Sequence, residues 1–325
     1  MAKILFIDLE AHRATGSSGF FVDLLRRRFE VDRVFVRSKR SREMPDRARV
    51  AGYDCVVCWQ VMPSNLRALS YGKPIIYVPM FDGETGNIVK WMRNRIQGVR
   101  AISFCRAESR ILKKASVSPL EVSYYPPVGE RTSGDSRKVF FWNRGDIGAD
   151  AVRRMFQQES GFEIVEWQNP PKSGEAFRME YLGGMKECGV FVAPRRIEGI
   201  GLSFLEAMAM GKCVVANNAP TMSEYIADGK NGVLVNVDAI KDGGLKLCPE
   251  DVASIQNKAY KSTAEGRRKW ESVDEPAILD YVDRAIGEYR RMTIAEALKW
   301  WMLLPLHFIW DIKILVEVIW RRAKS

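Results

Sequence analysis

The sequence has very little histidine: only His12 and His307 among 325 residues. Cysteine is sparse too. The one close pair, Cys55 and Cys58, has no second CxxC to complete a zinc site. That pair sits in the apolar run 53–59, which reads as a strand, where residues three apart face opposite sides and cannot easily share a metal or a disulfide. All six cysteines (Cys55, Cys58, Cys105, Cys188, Cys213 and Cys248) therefore read as reduced, mostly core thiols of a cytosolic protein. There is no low-complexity tract and no repeat at a solenoid period. No zinc-finger, RRM or basic-zipper pattern is present, so nucleic acid is not expected as a partner. A signal peptide is not expected either: the apolar segment after Lys3 is short and meets Asp8 and Glu10 at once.

What the chain does have is positive charge, unevenly placed. Residues 1–130 carry 22 Lys+Arg against 13 Asp+Glu, while residues 131–325 carry 28 against 27. The excess clusters at Arg26, Arg27 and Arg28 and again at Arg37, Lys39, Arg40 and Arg42. Such a field attracts anionic headgroups or phosphorylated substrates.

Apolar strand-like runs alternate with helix-like stretches. Strands are predicted at 4–9, 34–36, 55–59, 74–78 and 101–104, with helices at 20–29, 64–70, 87–95 and 108–115. This alternation predicts a parallel sheet flanked by helices, with ligands at the carboxyl ends of the strands. Two prolines, two glycines and polar residues over 126–136 break the pattern. It then restarts, with strands at 138–142, 162–167, 189–193, 213–216 and 232–237 and helices near 149–158, 175–187 and 202–210. The expected organisation is an N-terminal Rossmann-like domain (1–127), a linker (128–137), a second Rossmann-like domain (138–290) and a helical tail (291–325), with a cleft between the domains.

The strongest chemical signal spans residues 190–235. A strand ends near Ala193, a loop holds Glu198-Gly-Ile-Gly201, and a helix begins near Leu202. The unpaired N–H groups and positive end of such a helix suit a diphosphate. Gly199 and Gly201 let the backbone approach it with no Cβ in the way. Glu206, about one turn into the helix, can accept hydrogen bonds from two ribose hydroxyls.

Glu198 and Glu206 stand eight residues apart, in the E-x7-E relation, and the stretch 223–235 continues with Asp228-Gly-Lys-Asn-Gly232. This block resembles the nucleotide-sugar site of the family 4 retaining glycosyltransferases, of the bacterial polysaccharide and capsule type. The resemblance implies an α/β GT-B fold with the second domain binding the donor. It implies that Glu198 faces the donor sugar and that Gly199, Ile200, Gly201 and Leu202 hold the diphosphate. Arg144, after the strand 138–142, matches the family's diphosphate-gripping Arg. The family's partner Lys is missing, and either Arg195 or Arg196 can supply its charge. Gly16, Ser17, Ser18 and Gly19 resemble the glycine-rich acceptor-side loop. Relatives often carry a His after the fourth strand; here that contact is absent or replaced by Asp82. The base-binding region is expected around 167–171.

The expectation is therefore a retaining transfer from a nucleoside-diphosphate sugar to a glycan or lipid-linked acceptor in cell-surface polysaccharide biosynthesis. Glu198, Arg144 and Asp82 are the catalytic candidates. No DxD-like carboxylate pair stands in a suitable loop, so neither metal nor other cofactor is expected. A sugar-nucleotide epimerase of the same architecture and a non-catalytic nucleotide- or glycan-binding subunit are the alternatives. The tail is apolar but not a span: its longest near-uncharged run, 300–310, is about half of the roughly 20 residues required, and Pro305 interrupts it. Phe308, Ile312, Leu315 and Ile319 recur at helical spacing, which suits either packing on the first domain or contact with an anionic membrane surface. The expected location is cytoplasmic, peripheral at the inner face of the membrane.

Overall fold

The computed structural model describes residues 1–37, 50–61, 73–83, 99–156, 161–168, 175–240, 245 and 247–290. The helices expected at 64–70 and 87–95, the basic residues 39–42, residues 169–171 of the expected base-binding region and the tail 291–325 lie outside them.

Each apolar run bounded by turn residues forms a parallel strand in one of two sheets. The first sheet contains β1 (Lys3–Leu9), β2 (Glu30–Val36), β3 (Cys55–Trp59), β4 (Ile75–Val78), β5 (Arg100–Ser103) and β6 (Leu120–Glu121), in the order β2-β1-β3-β4-β5-β6. The second contains β7 (Asp135–Asn143), β8 (Glu163–Gln168), β9 (Cys188–Val192), β10 (Cys213–Asn217) and β11 (Val233–Val235), in the order β11-β10-β9-β7-β8. The central strands are covered on both faces, which is why they read as unbroken apolar runs. Cys55 and Cys58 obey the strand period. Cys55 packs with Phe6 and Phe21 on one face of the sheet, and Cys58 with Leu5 and Ile7 on the other. Burial pushes the Cys55 thiol up to about 12 and the Cys58 thiol well above its ordinary value.

Two strands begin more than one residue earlier than the sequence pattern predicts. β2 starts at Glu30 because it pairs with the whole of β1, from Lys3↔Glu30 to Leu9↔Val36. It is an edge strand, and Asp32 and Arg33 dilute its apolar signal. β7 starts at Asp135, inside the expected linker, where Asp135 pairs with Cys188 before a register shift. Gly134 permits this entry: its φ is +66°, and a Cβ there would stand 2.5 Å from the Cys188 carbonyl oxygen.

The helices among the described residues are α1 (Ala11–Thr15), α2 (Gly19–Arg26), α3 (Arg106–Lys114), α4 (Ala149–Phe156), α5 (Glu175–Glu187), α6 (Leu202–Ala209), α7 (Met222–Tyr225), α8 (Pro249–Lys269) and α9 (Glu275–Arg290). α8 has Pro249 in its first turn with Glu250 and Asp251, and Arg267, Arg268 and Lys269 in its last, as the helix dipole favours. A π-helical turn, Trp270–Asp274, joins it to α9 and redirects the chain onto the first domain. Ile278, Leu279, Val282, Ala285 and Ile286 of α9 are buried at helical spacing in the cluster that holds Phe21, Leu24, Leu25 and Phe104. Glu275 accepts from Trp270 Nε1 (2.7 Å) and pairs with Arg27; Arg28 bonds Asp280 (2.7 Å) and Asp283 (2.9 Å); Arg100 pairs with Glu288. The return crossing therefore falls on 275–290, ahead of the tail where packing on the first domain was an expectation. Among the described residues no helix is long and apolar enough to cross a membrane.

Candidate active site

Strand ends of both sheets meet at a cavity of about 500 Å³ between the two domains. Each wall is built by residues just past a strand. From the first domain come His12 after β1, Gln60 after β3, and Met80 and Asp82 after β4. From the second come Arg144 after β7 and Arg195, Glu198 and Gly199 after β9; Glu206 lies one turn inside α6. Gln60 takes a left-handed φ of +59°, unusual for a side chain larger than glycine.

The two walls are joined by an ion pair. Arg195 Nη1 lies 2.6 Å from Asp82 Oδ2 and 3.9 Å from Glu198 Oε2. Burial raises the Glu198 carboxyl to about 7, and neighbouring Asp82 adds to this against the opposing pull of Arg195 and Arg144. Burial alone would lower Arg195, but Glu198 and Asp82 outweigh it and hold the guanidinium above its ordinary value. Arg144 is drawn below its ordinary value by burial, opposed chiefly by Glu198, and its guanidinium lies 4.5 Å from the centre of the Trp142 ring. Among the described residues, the buried oxygens Asp82 Oδ1 and Glu198 Oε1 receive no hydrogen bond.

Close backbone approach is built in at two glycines. A Cβ on Gly199 would stand 2.8 Å from Asp82 Oδ1 and 3.0 Å from Met80 Cβ, both on the opposite wall. Gly201 precedes α6 at φ +80°, and a Cβ there would lie 1.9 Å from Phe204 Cε1. The N-terminus of α6 thus opens into the cavity, with Ile200, Leu202 and Ser203 in its lining.

Of the residues expected from sequence, Arg144, Asp82, Arg195, Glu198, Gly199, Ile200, Gly201, Leu202, Glu206 and Ser17 line the cavity. Arg196 does not. Its N–H donates to Asp146 Oδ2 (2.9 Å), its Nε to the Asp146 carbonyl (3.2 Å), and its guanidinium pairs with Asp238. Of the two arginines, Arg195 is the one that lines the cavity. Gly16 and Gly19 shape the turn: Gly16 caps α1 at φ +66°, and the Gly19 N–H donates to the Gly16 carbonyl. Ser18 is fully buried and donates to Asp8 Oδ2 (2.5 Å). Trp167 packs edge-on against Trp142 and is not in the cavity lining.

Sequence reading missed His12, Thr15, Gln60, Trp142 and Tyr181, which all line the cavity. For His12 and Gln60 the available signal was position, since each lies within three residues of the carboxyl end of a strand of a parallel sheet.

Residues 178–248 match the family model described as Glycosyl transferases group 1. The chain is 34% identical over 107 residues to the lipopolysaccharide core biosynthesis mannosyltransferase LpsB of Rhizobium meliloti (strain 1021), covering 30% of each chain. It is 46% identical over 50 residues to the alpha-maltose-1-phosphate synthase of Mycolicibacterium smegmatis, covering 15% of this chain and 13% of that one. The matched part spans less than a third of the length of these curated relatives. Among solved structures, HepE of Anabaena in complex with UDP superimposes with a TM-score of 0.60 at 14% identity, over 88% of this chain and all of that one. The apo form of the lipopolysaccharide outer core galactosyltransferase WaaB gives 0.51 at 12% identity, over 94% and 99%. The segment 178–248 is therefore of the group 1 glycosyltransferases, and the chain that carries it has the two-domain GT-B fold.

Proposed function

We propose that this chain is a glycosyltransferase that moves a sugar from a nucleoside-diphosphate donor, with retention, to a glycan or lipid-linked acceptor in cell-surface polysaccharide biosynthesis. The observation that carries this reading is the convergence of Arg144, Arg195, Glu198, Glu206 and the start of α6 on one interdomain cavity. The diphosphate takes the α6 N-terminus with Arg144 and Arg195, whose fixed charges stabilise it as it leaves. Glu206 holds the ribose hydroxyls. Hydroxyls of the donor sugar supply the donors that Asp82 Oδ1 and Glu198 Oε1 take from no described residue. UDP is the first nucleotide to test, because HepE is a UDP complex.

A thermal-shift series with UDP, GDP and their sugars tests donor binding, since a ligand of the native state raises the melting temperature. Glu206→Ala should lower the UDP-induced shift at unchanged basal stability, through loss of charge-assisted hydrogen bonds worth roughly 1.5–3 kcal/mol. Arg144→Ala should cut donor turnover strongly and Arg144→Lys restore it in part, because Lys lacks the planar fork. If no nucleotide shifts the melt of the parent protein, the donor reading fails. The membrane-facing location belongs to the same proposal. It predicts binding to anionic over neutral liposomes, weakened by salt.

A further inference from the structure

Thr221, at the start of α7, is completely buried and takes φ +74° and ψ −66°. This is a rare, strained region of backbone space, found in tight three-residue turns, and a β-branched side chain is poorly suited to it. Among the described residues of the second domain, every other positive-φ position is a glycine, Gly201 and Gly211 included. A glycine would take this turn with no steric cost. What threonine adds is a hydroxyl.

That hydroxyl reaches the donor loop. Thr221 Oγ1 donates to the Glu198 carbonyl (2.8 Å) and lies 3.3 Å from the Gly199 carbonyl. A trans peptide is planar, with its C=O and N–H pointing opposite ways. Two consecutive carbonyls turned toward Thr221 therefore turn the N–H groups of Gly199 and Ile200 away from it. Both residues line the cavity, and among the described residues neither N–H finds an acceptor. Successive free N–H groups of this kind make a concave anion site. Strained dihedrals persist only where the surroundings over-determine them, and three contacts do so here. The Glu224 N–H donates to the Thr221 carbonyl (3.1 Å), and the Ser223 N–H donates to the Ala219 carbonyl (3.0 Å). The Glu224 carboxylate in turn takes the N–H groups of Arg106 and Ala107 at the start of α3, in the first domain. Thr221 is thus braced from the first domain while its hydroxyl holds the donor loop of the second.

We propose that Thr221 is a positioning residue for sugar transfer: its hydroxyl sets the 198–200 backbone so that the Gly199 and Ile200 N–H groups meet the diphosphate of the donor. Donors fixed in advance at the place where charge develops need no reorganisation as the diphosphate leaves. Thr221 does not itself line the cavity and acts only through this backbone. The strain is the cost of a hydroxyl that glycine cannot supply. The inference rests on the transferase reading and deepens it.

The test uses the full-length chain, with UDP titrated for affinity and UDP-sugars followed for UDP release. Thr221→Ser keeps the hydroxyl and should match the parent in both. Thr221→Val keeps the shape without the hydroxyl, and Thr221→Gly loses the hydroxyl and the strain together. Both should weaken UDP binding and slow release, on the order of 10- to 100-fold, the scale of a misplaced binding group. A merely structural Thr221 predicts a different order, in which Gly, at ease with positive φ, is tolerated best and activity follows the melting temperature. Should Thr221→Val not fold, the comparison of Gly with Ser carries the test. Parent-like binding and release by Thr221→Gly or Thr221→Val overturn the inference. So does a crystal structure of either variant in which the 198–199 peptide keeps its orientation. A parent protein that binds no nucleotide sinks the transferase reading instead, and the same crystal structure then decides whether the hydroxyl holds the loop.

Discussion

Glu198 holds its proton more tightly in the folded protein than in the unfolded chain: its carboxyl is raised from 4.5 to about 7. The folded state therefore binds more protons between these values, and stability falls as pH rises from about 4.5 through 7, then levels off. At about 1.4 kcal/mol per unit, the ionised carboxylate costs the native state roughly 3 kcal/mol above neutrality. Glu198→Gln should raise the melting temperature at pH 8 much more than at pH 5; equal shifts at both would show an ordinary carboxylate. Gly199 makes a different prediction, because its φ lies outside the left-handed region and the constraint is the close approach of the opposite wall. Gly199→Ala drives a methyl into Asp82 Oδ1 and Met80 across the cavity, so the two walls must separate by some tenths of an ångström. UDP-sugar affinity should drop while the melting temperature of the free protein stays nearly constant. The residues legible in the sequence are those clustered on one strand–loop–helix unit, Glu198 through Glu206, where spacing alone carries meaning. The hydrogen bond that fixes the His12 ring was not legible, because it depends on a buried Asp8 with three other donors, and Arg33 among them comes from a different strand. Ser18 and Arg196 were expected in the site from the family resemblance, and in the structure Ser18 bonds Asp8 and Arg196 bonds Asp146 and Asp238.

Among the elements, α6 depends most on one residue. Gly201 holds the left-handed turn that starts it, and any Cβ there strikes Phe204. Gly201→Ala should destabilise the protein by about 1–3 kcal/mol or more and abolish nucleotide binding, measured by denaturant melts and UDP titration. The π-helical turn between α8 and α9 is fixed by Trp270, whose buried Nε1–H donates to Glu275. Glu275→Ala leaves that donor without its acceptor and strips Arg27 of its partner, a loss of about 1–3 kcal/mol. Denaturant melts of Glu275→Ala and Glu275→Gln would separate the two effects, since Gln can still accept from the indole. Elements whose apolar pattern is complete within themselves were legible: β3 falls on the expected 55–59, and α5 on the expected 175–187. The start of β2 and the start of β7 were not, because each is specified by its neighbour's length and not by its own residues.

The whole molecule is held across its cleft by one shared apolar cluster that runs from Phe6 and Phe21 through Trp270 to Phe191 and Phe204. Around its rim the two domains exchange polar contacts: Glu224 of the second accepts from the Arg106 N–H (2.8 Å) and the Ala107 N–H (3.2 Å) at the start of α3 in the first. The basic run at Arg26, Arg27 and Arg28 is partly committed to this rim, since Arg27 and Arg28 both reach α9 carboxylates. These pairs are partly exposed, so Arg28→Ala should change stability by no more than about 1 kcal/mol in a chemical melt. Residues Ile278 to Ile286 close the cluster over α2, and they are roughly 250 positions downstream of it in the chain. Translation at about 5–20 residues per second delivers them on the order of 10–50 s after Phe21, Leu24 and Leu25 have left the ribosome. For that interval the first domain is a nascent chain with one bare greasy flank, a natural client for a chaperone and a natural meeting point for two copies on one polysome.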